Sequence, residues 1–317
     1  MKPPHVLPFE RPAADLRQRI DTLEPMVAGN PELAEPLRRL QEAHRELEDR
    51  LIEDLTRWDK VLVSRHPQRP YTLDYAALAF EDFTELHGDR HFADDGAIVG
   101  GLAKLGGRNV MLIGTQKGRG TQQNMRRNFG MPRPEGYRKA LRLMRLAERF
   151  GLPIVSLIDT PGAYPGMGAE ERGQAEAIAF NLEAMMSLTV PVVCVVIGEG
   201  GSGGALAIGV GNTVLMLEHA VYSVISPEAA SAILYREQGR AQQAAEALRP
   251  TAADLLKLGV VDGIIEEPRG GAHREHGTIA DALGAAVAAA LDELLKLSPE
   301  ALVEQRVQRF RKLGEIA

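Results

Sequence analysis

The chain is poor in cysteine, since its 317 residues include only Cys194. A single cysteine excludes a disulfide framework, and it excludes a zinc site built from several thiolates of this chain. Cys194 lies in the apolar run 192–196, so we expect it to pack in the core as a small hydrophobic side chain. We therefore predict no metal site and a reducing, cytoplasmic compartment.

The chain also lacks a long apolar segment and an excess of positive charge. Its apolar stretches are interrupted well before the roughly 18 residues that a membrane span requires. Residues 1–12 contain prolines and charges where a signal peptide would be apolar. The formal net charge is −6, which argues against nucleic-acid binding through bulk charge. We expect a globular protein that binds neither a membrane nor a nucleic acid.

Residues 12–65 have the pattern of a helical hairpin. Asn30 is a predicted N-cap, and Pro31 follows at the first helical position. Apolar residues then recur at spacings of three and four, as on one face of a helix; they are Leu33, Leu37, Leu40, Leu47, Leu51, Leu55 and Trp58. This stripe must be buried against the core of the chain or against another chain.

After a proline-containing linker at residues 66–70, strands and helices alternate, which is typical of an α/β fold with largely parallel strands. The predicted strands are 97–105, 108–113, 153–159, 192–197, 213–217, 221–225 and 260–265. The first two flank Gly106 and Gly107, which predict a hairpin with a two-residue turn. The predicted helices are 134–150, 170–188, 205–209, 227–235, 252–258 and 279–313. We predict two domains, a helical hairpin over residues 1–68 and an α/β domain with a helical tail over residues 69–317.

Two glycine-rich loops, residues 159–168 and 198–205, follow the two most apolar strands. Ligands of open α/β folds bind at the carboxyl ends of strands, where glycine permits close approach of the backbone. A helix that begins just after the second loop would direct free N–H groups at a ligand. The main-chain N–H groups of Gly203, Gly204 and Ala205 are therefore candidates for an oxyanion hole.

Basic residues are concentrated between positions 117 and 149, and only Glu135 and Glu148 oppose them. The cluster consists of Lys117, Arg119, Arg126, Arg127, Arg133, Arg138, Lys139, Arg142, Arg145 and Arg149. A basic patch in an acidic protein suggests an anionic ligand or an acidic partner. The residues before position 128 lie in a predicted loop and are the stronger binding candidates. Those after position 137 fit a solvated helix face equally well.

The second loop also fits the pattern G-x-S-x-G, which places a nucleophilic serine between a strand and a helix in α/β-hydrolases. Ser202 would be the nucleophile. Its partners would be Asp254 or Asp262 and His273 or His276. The pattern is permissive in a run that already consists of glycine, so this alternative is the weaker one.

Seven stretches of the sequence closely resemble the alpha subunit of the multisubunit acetyl-CoA carboxylase carboxyltransferase of bacteria and plastids. They are residues 69–75, 85–90, 127–144, 158–166, 168–174, 197–209 and 221–228. The resemblance covers nearly the whole chain. Three positions depart from the family, which usually has histidine at Thr115, glycine at Ala229 and tryptophan at Tyr235.

This resemblance implies a crotonase-like (ClpP/crotonase) fold, a superhelix of β-β-α turns. It implies a backbone oxyanion hole at Gly203, Gly204 and Ala205. The residues assigned to substrate binding are Gly162, Ala163, Tyr164, Gly166, Gly200, Gly201, Lys117 and Arg119.

The resemblance also implies the partners. A beta subunit, which carries a zinc ribbon, would form an α2β2 assembly with this chain and hold most of the acetyl-CoA. Biotin would arrive on a biotin carboxyl carrier protein after a biotin carboxylase has carboxylated it. No cofactor would be bound covalently by this chain, and zinc would be expected only on the beta subunit. The product would be malonyl-CoA, in the first committed step of fatty-acid synthesis.

The implied mechanism explains why no acid–base pair stands out in the sequence. Carboxybiotin can lose CO2, and the resulting ureido anion can take a proton from acetyl-CoA, so that the enolate attacks CO2. The protein then needs only to stabilise oxyanions and to hold the reactants. Two alternatives stay open: a self-sufficient crotonase-like hydratase, isomerase or thioesterase, and a scaffold without a catalytic role.

Overall fold

The computed structural model describes residues 5–314. The N-terminal segment contains the helices α1 (Arg11–Leu23), α2 (Ala34–Glu53) and α3 (Arg57–Ser64). α1 packs on α2, as the hairpin prediction requires. The cap at Asn30 is confirmed, because its side chain accepts a hydrogen bond from the N–H of Glu32.

The prediction that the second helix of the hairpin continues unbroken to residue 65 was wrong. Between α2 and α3 the chain leaves the helix at Asp54, and Leu55 lies in the break. Thr56 begins α3 with a capping box, in which its hydroxyl accepts from the N–H of Asp59 while the Asp59 carboxylate accepts from the N–H of Thr56. Because this reciprocal cap satisfies two helix-end donors, it favours a new helix over continuation of the old one.

The sheet has the order β1-β2-β3-β4-β5-β6-β8, and β7 pairs with β5. The strands are β1 (Glu81–Glu85), β2 (Ile98–Leu105), β3 (Arg108–Thr115), β4 (Ile154–Thr160), β5 (Val192–Gly201), β6 (Thr213–Leu217), β7 (Val221–Ser223) and β8 (Gly263–Ile265). β1, β2 and β3 are antiparallel, and all later pairings in the sheet are parallel. The largely parallel sheet is therefore confirmed.

The hairpin between β2 and β3 is also confirmed. Gly106 and Gly107 connect the strands, with φ of 55° and 77°. Two positive φ values are what a two-residue hairpin turn of type I′ needs, and glycine adopts them without strain.

The remaining helices surround the sheet. They are α4 (Thr72–Leu78), α5 (Thr121–Arg126), α6 (Pro134–Arg149), α7 (Met167–Glu171), α8 (Gln174–Ser187), α9 (Ser202–Leu206), α10 (Pro227–Tyr235), α11 (Ala241–Leu248), α12 (Ala252–Lys257), α13 (His276–Leu294) and α14 (Pro299–Arg311). None of the helices within residues 5–314 has both the length and the apolar character needed to cross a membrane.

Several predicted boundaries are corrected. The segment 170–188 is divided at Gly173, which has a left-handed φ of 78°. The helix expected at 205–209 begins earlier, at Ser202. The tail is two helices, because Ser298 caps α14 by accepting from the N–H of Ala301, and Pro299 occupies the first position. The prediction missed α4, α5, α11 and β1.

The core lies on both faces of the central strands. β4 is buried along its whole length, and β5 is buried as far as Gly200. Cys194 is completely buried in β5, and burial raises the pKa of its thiol to about 12. Its predicted role as a core residue is confirmed.

A fully buried ion pair between Arg69 and Glu267 connects the linker after α3 to the end of β8. The Arg69 guanidinium donates to both Glu267 carboxylate oxygens, at 2.6 and 2.7 Å, and to the carbonyl of Ile197 in β5 at 3.0 Å. Glu267 also accepts from the N–H of His219, at 3.0 Å. Burial alone would raise the pKa of Glu267, but the Arg69 charge holds it at about 2.

Replacing Arg69 with methionine should destabilise the chain strongly, because it leaves the Glu267 carboxylate buried without a cation. Removing one partner of a buried pair costs about 3–5 kcal/mol. The free energy of unfolding can be measured with urea and circular dichroism. Arg39→Met is the matched control, since Arg39 pairs with Glu35 on the exposed surface of α2 and should leave the unfolding midpoint nearly unchanged. Equal midpoints for the two variants would contradict this role of Arg69.

Candidate functional site

Two loops meet at the carboxyl ends of the neighbouring parallel strands β4 and β5. The first loop follows β4, and the second is the turn from β5 into α9. A Cβ atom on Gly201 would overlap the carbonyl of Pro161, and one on Gly204 would lie 2.5 Å from the carbonyl carbon of Gly162 and overlap the amide nitrogen of Ala163. The two backbones therefore touch without a side chain between them.

This contact gathers main-chain donors at one place. Gly203 and Gly204 belong to the first turn of α9, whose N–H groups have no acceptor within the helix. Ala205 is the fourth residue of α9, so its N–H is the first that bonds to a carbonyl of the helix, and Ala205 is the weaker candidate donor. The amide nitrogen of Ala163 lies against Gly204, and no acceptor from residues 5–314 pairs with it. The sequence predicted N–H donors only on the second loop, whereas the structure adds the N–H of Ala163 from the first loop.

The first loop is held in place from within. The Thr160 hydroxyl donates to the carbonyl of Gly162 at 2.8 Å and accepts from its N–H at 3.1 Å. Gly162 has a φ of 149°. Gly200 of the second loop packs closely on the ring of Tyr222, on the β7 side of the sheet.

A cavity of 370 Å³ adjoins the loops. Tyr164 and Gly166, both predicted to bind substrate, line it, and so does Ile178 of α8. The side chain of Ile178 approaches Gly203 to the distance of an ordinary van der Waals contact, 3.7 Å from an added Cβ. Ile178 therefore contacts both this cavity and Gly203 of α9, although Gly203 is not part of the cavity lining.

Gln174 is a site residue that sequence reasoning did not single out. Its amide nitrogen donates to the carbonyls of Pro132 and Tyr164, at 2.9 and 3.0 Å, and the N–H of Tyr164 donates to the same Pro132 carbonyl. The Arg133 guanidinium lies over the Tyr164 ring, 4.7 Å from its centre. These contacts fix the far end of the first loop, and only the folded chain brings them together.

Lys117 and Arg119, predicted to bind substrate, each pair with carboxylates of this chain. The Lys117 ammonium is 2.7 Å from Asp159 and 2.8 Å from Glu199. Burial opposes its charge, but the two carboxylates raise the pKa of Lys117 above its ordinary value. Arg119 pairs with Asp74 at 2.7 Å. Both cations line a second cavity, of 690 Å³.

Of the other basic residues, Lys139 departs from the picture of a solvated helix face. It is completely buried, and its ammonium donates to the carboxylate of Asp94 and the carbonyl of Asp95. Arg138 pairs with Asp89, which is also buried. The amino-terminal half of α6 therefore packs against the loop before β2, and its charges hold that loop.

Of the three departures from the family, Thr115 lies at the base of the first loop, whereas Ala229 and Tyr235 lie in α10. Thr115 is completely buried, and its hydroxyl accepts from the N–H of Asp159. Ala229 lies in the first turn of α10, capped by the Ser226 hydroxyl, and Tyr235 ends that helix beneath the Arg240 guanidinium. A proton-transfer role at position 115 has no support in this geometry.

Ser202 occupies the position of a hydrolase nucleophile, but the predicted histidines are engaged elsewhere. Ser202 is exposed and has a left-handed φ of 55°. His276 Nε2 is 2.7 Å from the carbonyl of Gln68, and His273 stacks on His66 with ring centres 3.8 Å apart.

The predicted acids are engaged as well. Asp254 accepts two hydrogen bonds from Arg57, each of 2.7 Å, and Asp262 pairs with Arg309 at 3.0 Å. Neither acid bonds to His273 or His276 among the described residues. Within residues 5–314, no serine–histidine–acid triad forms around Ser202.

The stacked side chains of His66 and His273 should make the free energy of unfolding depend on pH. Burial and the neighbouring His66 lower the pKa of His273 to about 3, and burial lowers that of His66 as well. An unfolded histidine titrates near pH 6.5, so the unfolded state binds more protons between about pH 6.5 and pH 3. The free energy of unfolding therefore falls as the pH falls through this window.

His273→Phe keeps a ring on His66 and removes this titration. Between pH 6.5 and pH 5, the unfolding midpoint of the variant should fall less steeply than that of the wild type. His91→Phe, an exposed histidine outside the stack, is the control and should follow the wild-type curve. Parallel curves for His273→Phe and the wild type would show that the stack has no part in acid sensitivity.

Comparison with protein families gives a match over residues 6–314 to the family described as acetyl co-enzyme A carboxylase carboxyltransferase-like. A protein of Geobacter metallireducens named acetyl-coenzyme A carboxylase carboxyl transferase subunit alpha is 56% identical over 311 residues, 98% of each chain. A Bordetella pertussis protein of the same name is 57% identical, over 97% of this chain and 96% of its own.

Among solved structures, the transcarboxylase 12S crystal structure is similar, with a TM-score of 0.58 and 22% identity. The match covers 72% of this chain and 42% of that one. At this identity the likeness concerns the fold, and it confirms the predicted crotonase-like α/β class.

Proposed function

The chain belongs to the acetyl-coenzyme A carboxylase carboxyltransferase family, and on that premise we propose that it is the alpha subunit of the enzyme. It would provide one half of a site in which a carboxyl group passes from carboxybiotin to acetyl-CoA, with malonyl-CoA as product. The observation that carries the proposal is the contact between the two glycine loops, which gathers N–H donors from Ala163, Gly203 and Gly204.

These donors suit an anionic oxygen of the substrate. Backbone N–H groups that are fixed before the reaction stabilise charge that develops in the transition state, and they need no reorganisation when it forms. When bound, carboxybiotin would supply the carboxyl group and also the nitrogen that takes up the proton of acetyl-CoA. The role of this chain is then to orient the ureido oxygen at Gly203 and Gly204 and to keep the reactants together.

The carboxylates nearest to the loops support a mechanism without a protein base. Asp159 and Glu199 are both paired with Lys117, and Glu199 is also paired with Arg65 at 2.6 Å. Burial alone would raise the pKa of Glu199, but Lys117 and Arg65 hold it at about 2. A carboxylate held so far below neutral pH is a poor proton acceptor, which disfavours a self-sufficient hydratase or isomerase.

We further propose that the site is completed by a beta subunit, in an α2β2 assembly, which holds acetyl-CoA and carries the zinc. A biotin carboxyl carrier protein would deliver biotin, and a biotin carboxylase would recharge it. Large apolar side chains exposed in and just before α10 support a protein partner: Val224, Ile233 and Leu234 are 77%, 70% and 63% exposed. A scaffold without catalysis would not require the side-chain-free contact between the loops.

The first experiment is the reverse reaction, in which malonyl-CoA and a soluble biotin derivative yield acetyl-CoA. We expect activity from the mixture of this chain with its beta subunit and none from either chain alone, because each chain provides only half of the site. Robust turnover by this chain alone would favour the self-sufficient enzyme. A verified complex without turnover would favour the scaffold.

Gly204→Val should abolish carboxyl transfer in the complex, because the added side chain would overlap Ala163 and displace the donors. Loss of one oxyanion donor costs about 10²–10³ in rate. Gly277→Ala is the control, since no atom lies within 4 Å of the added methyl group. Ser202→Ala should retain most of the activity. If Ser202→Ala were inactive and Gly204→Val active, the hydrolase alternative would return.

A further inference from the structure

A buried ion-pair network lies at the base of the two glycine loops. The Lys117 ammonium, two residues beyond β3, is 2.7 Å from Asp159 Oδ1 in β4 and 2.8 Å from Glu199 Oε2 in β5. The N–H of Glu199 donates to the same oxygen of Asp159, at 2.8 Å. One cation therefore connects the carboxyl ends of three neighbouring strands.

Each carboxylate lies where a site loop begins. Asp159 immediately precedes the segment that leads to Ala163, and Glu199 immediately precedes the turn that leads to Gly204. The three side chains are nearly enclosed, with 13% of Lys117, 3% of Asp159 and 12% of Glu199 exposed. A movement of either carboxylate would therefore be transmitted to its loop.

The surrounding backbone confines the network. A Cβ atom on Gly198 would collide with the Asp159 carboxylate, and one on Gly130 would lie 2.6 Å from Cγ of Lys117. Bare backbone thus packs against the aliphatic part of the Lys117 side chain and against one of the acids that pair with it. The ammonium has little freedom to turn to another partner.

Arg65 closes the network on the outer side. Its Nε donates to Glu199 Oε1 at 2.6 Å, and its guanidinium also pairs with Glu228 of α10. Glu199 therefore has a cation at each oxygen. Two of the three donors of Lys117 are taken by carboxylates of this chain, so its charge is compensated within the protein and is not free to bind a substrate anion.

We propose that Lys117 is a positioning residue for carboxyl transfer, which acts through Asp159 and Glu199 on the relative placement of the two glycine loops. This inference rests on the proposed function. It assigns Lys117 a geometric role in place of the direct substrate contact that the basic cluster suggests. The N–H groups of Ala163 and Gly204 are the groups whose separation Lys117 sets.

The test replaces Lys117 with methionine, which keeps the length of the side chain and removes its charge. In the complex with the beta subunit, kcat of the reverse reaction should fall about 10- to 100-fold, since small misplacements of reacting groups are costly. The KM for malonyl-CoA and for the biotin derivative should change less than about threefold, because the ground-state contacts are kept. Lys117→Arg, which retains the charge, should recover part of kcat.

Lys104→Met is the matched control. Lys104 is also paired with an aspartate, Asp82 at 2.7 Å, but it lies on the exposed surface of β2. Its replacement should leave kcat and KM within about twofold of the wild type.

Glu199→Gln provides a second measurement if Lys117→Met does not fold, as judged by circular dichroism and the thermal midpoint. The glutamine side chain keeps the size of Glu199 and one acceptor oxygen, but it lacks the negative charge that pairs with Lys117. It should lower kcat about three- to tenfold at constant KM. Where both single variants fold, the double variant should be no slower than Lys117→Met, because the two side chains act through one network.

A folded Lys117→Met complex with kcat within twofold of the wild type would overturn the inference. If Lys117→Met does not fold, a folded Glu199→Gln complex with kcat within twofold of the wild type would overturn it. A tenfold rise in KM at unchanged kcat would assign Lys117 to substrate binding instead. An inactive wild-type complex would contradict the proposed function itself. Measuring the wild type before any variant separates this outcome from a failure of the inference about Lys117.

Discussion

The site depends on the close approach of two backbone segments. Gly201 and Gly204 lie so near to Pro161 and Ala163 that a single added methyl group would occupy the same space as the opposite backbone. Because nothing but main chain meets there, the N–H groups of Ala163 and Gly204 lie close together. The strands beneath make this possible, since β4 and β5 are parallel neighbours and therefore end at the same edge of the sheet.

The glycines allow the two loops to approach each other, and buried ion pairs at the bases of the loops help to set their positions. The two loops meet through main chain alone, so no side chain interlocks them at the contact. Their positions are set by the contacts of Tyr164 at the far end of the first loop and by the residues at the bases of both loops. Lys117, Asp159 and Glu199 join β3, β4 and β5 at that level, and Arg69 with Glu267 joins the linker to β5 and to the end of β8. Buried ion pairs of this kind are weak evidence for net stability, because desolvation offsets much of their attraction. Their directional hydrogen bonds are better suited to defining geometry.

The sequence predicted those elements whose signals are local. The hairpin at Gly106–Gly107 and the helix that begins at Pro134 each depend on residues within one turn. The buried strands β4 and β5 were recognised from continuous apolar runs. The break before α3 was missed because the apolar spacing continues through Leu55, although Thr56 and Asp59 form a capping box. β1 was missed because its residues are polar and largely exposed.

The site was predicted only as far as each loop could be read by itself. The glycines and the helix start at residues 202–206 indicated donors on the second loop. The resemblance assigned Ala163 to substrate binding, but its position beside Gly204, the contacts of Gln174 and the pairing of Lys117 with two acids depend on which strands are neighbours. Spacing along the chain does not carry that information. The basic cluster was therefore interpreted as a set of free charges, whereas folding pairs Lys117, Arg119 and Lys139 with carboxylates from distant segments.

The same pairing explains why a site with so many ionisable groups offers no evident acid or base. Glu199 and Asp159 are close to the loops, but their charges are used to hold Lys117 and, through Glu199, Arg65. A proton on either carboxylate would release the cation and loosen the base of a loop, so catalysis by proton transfer at these groups would work against the geometry of the donors. Such a site is suited to a reaction whose base comes with the substrate. It contributes position and a fixed electrostatic environment, and under the proposed function the rest of the chemistry would come from the reactants and from a partner subunit.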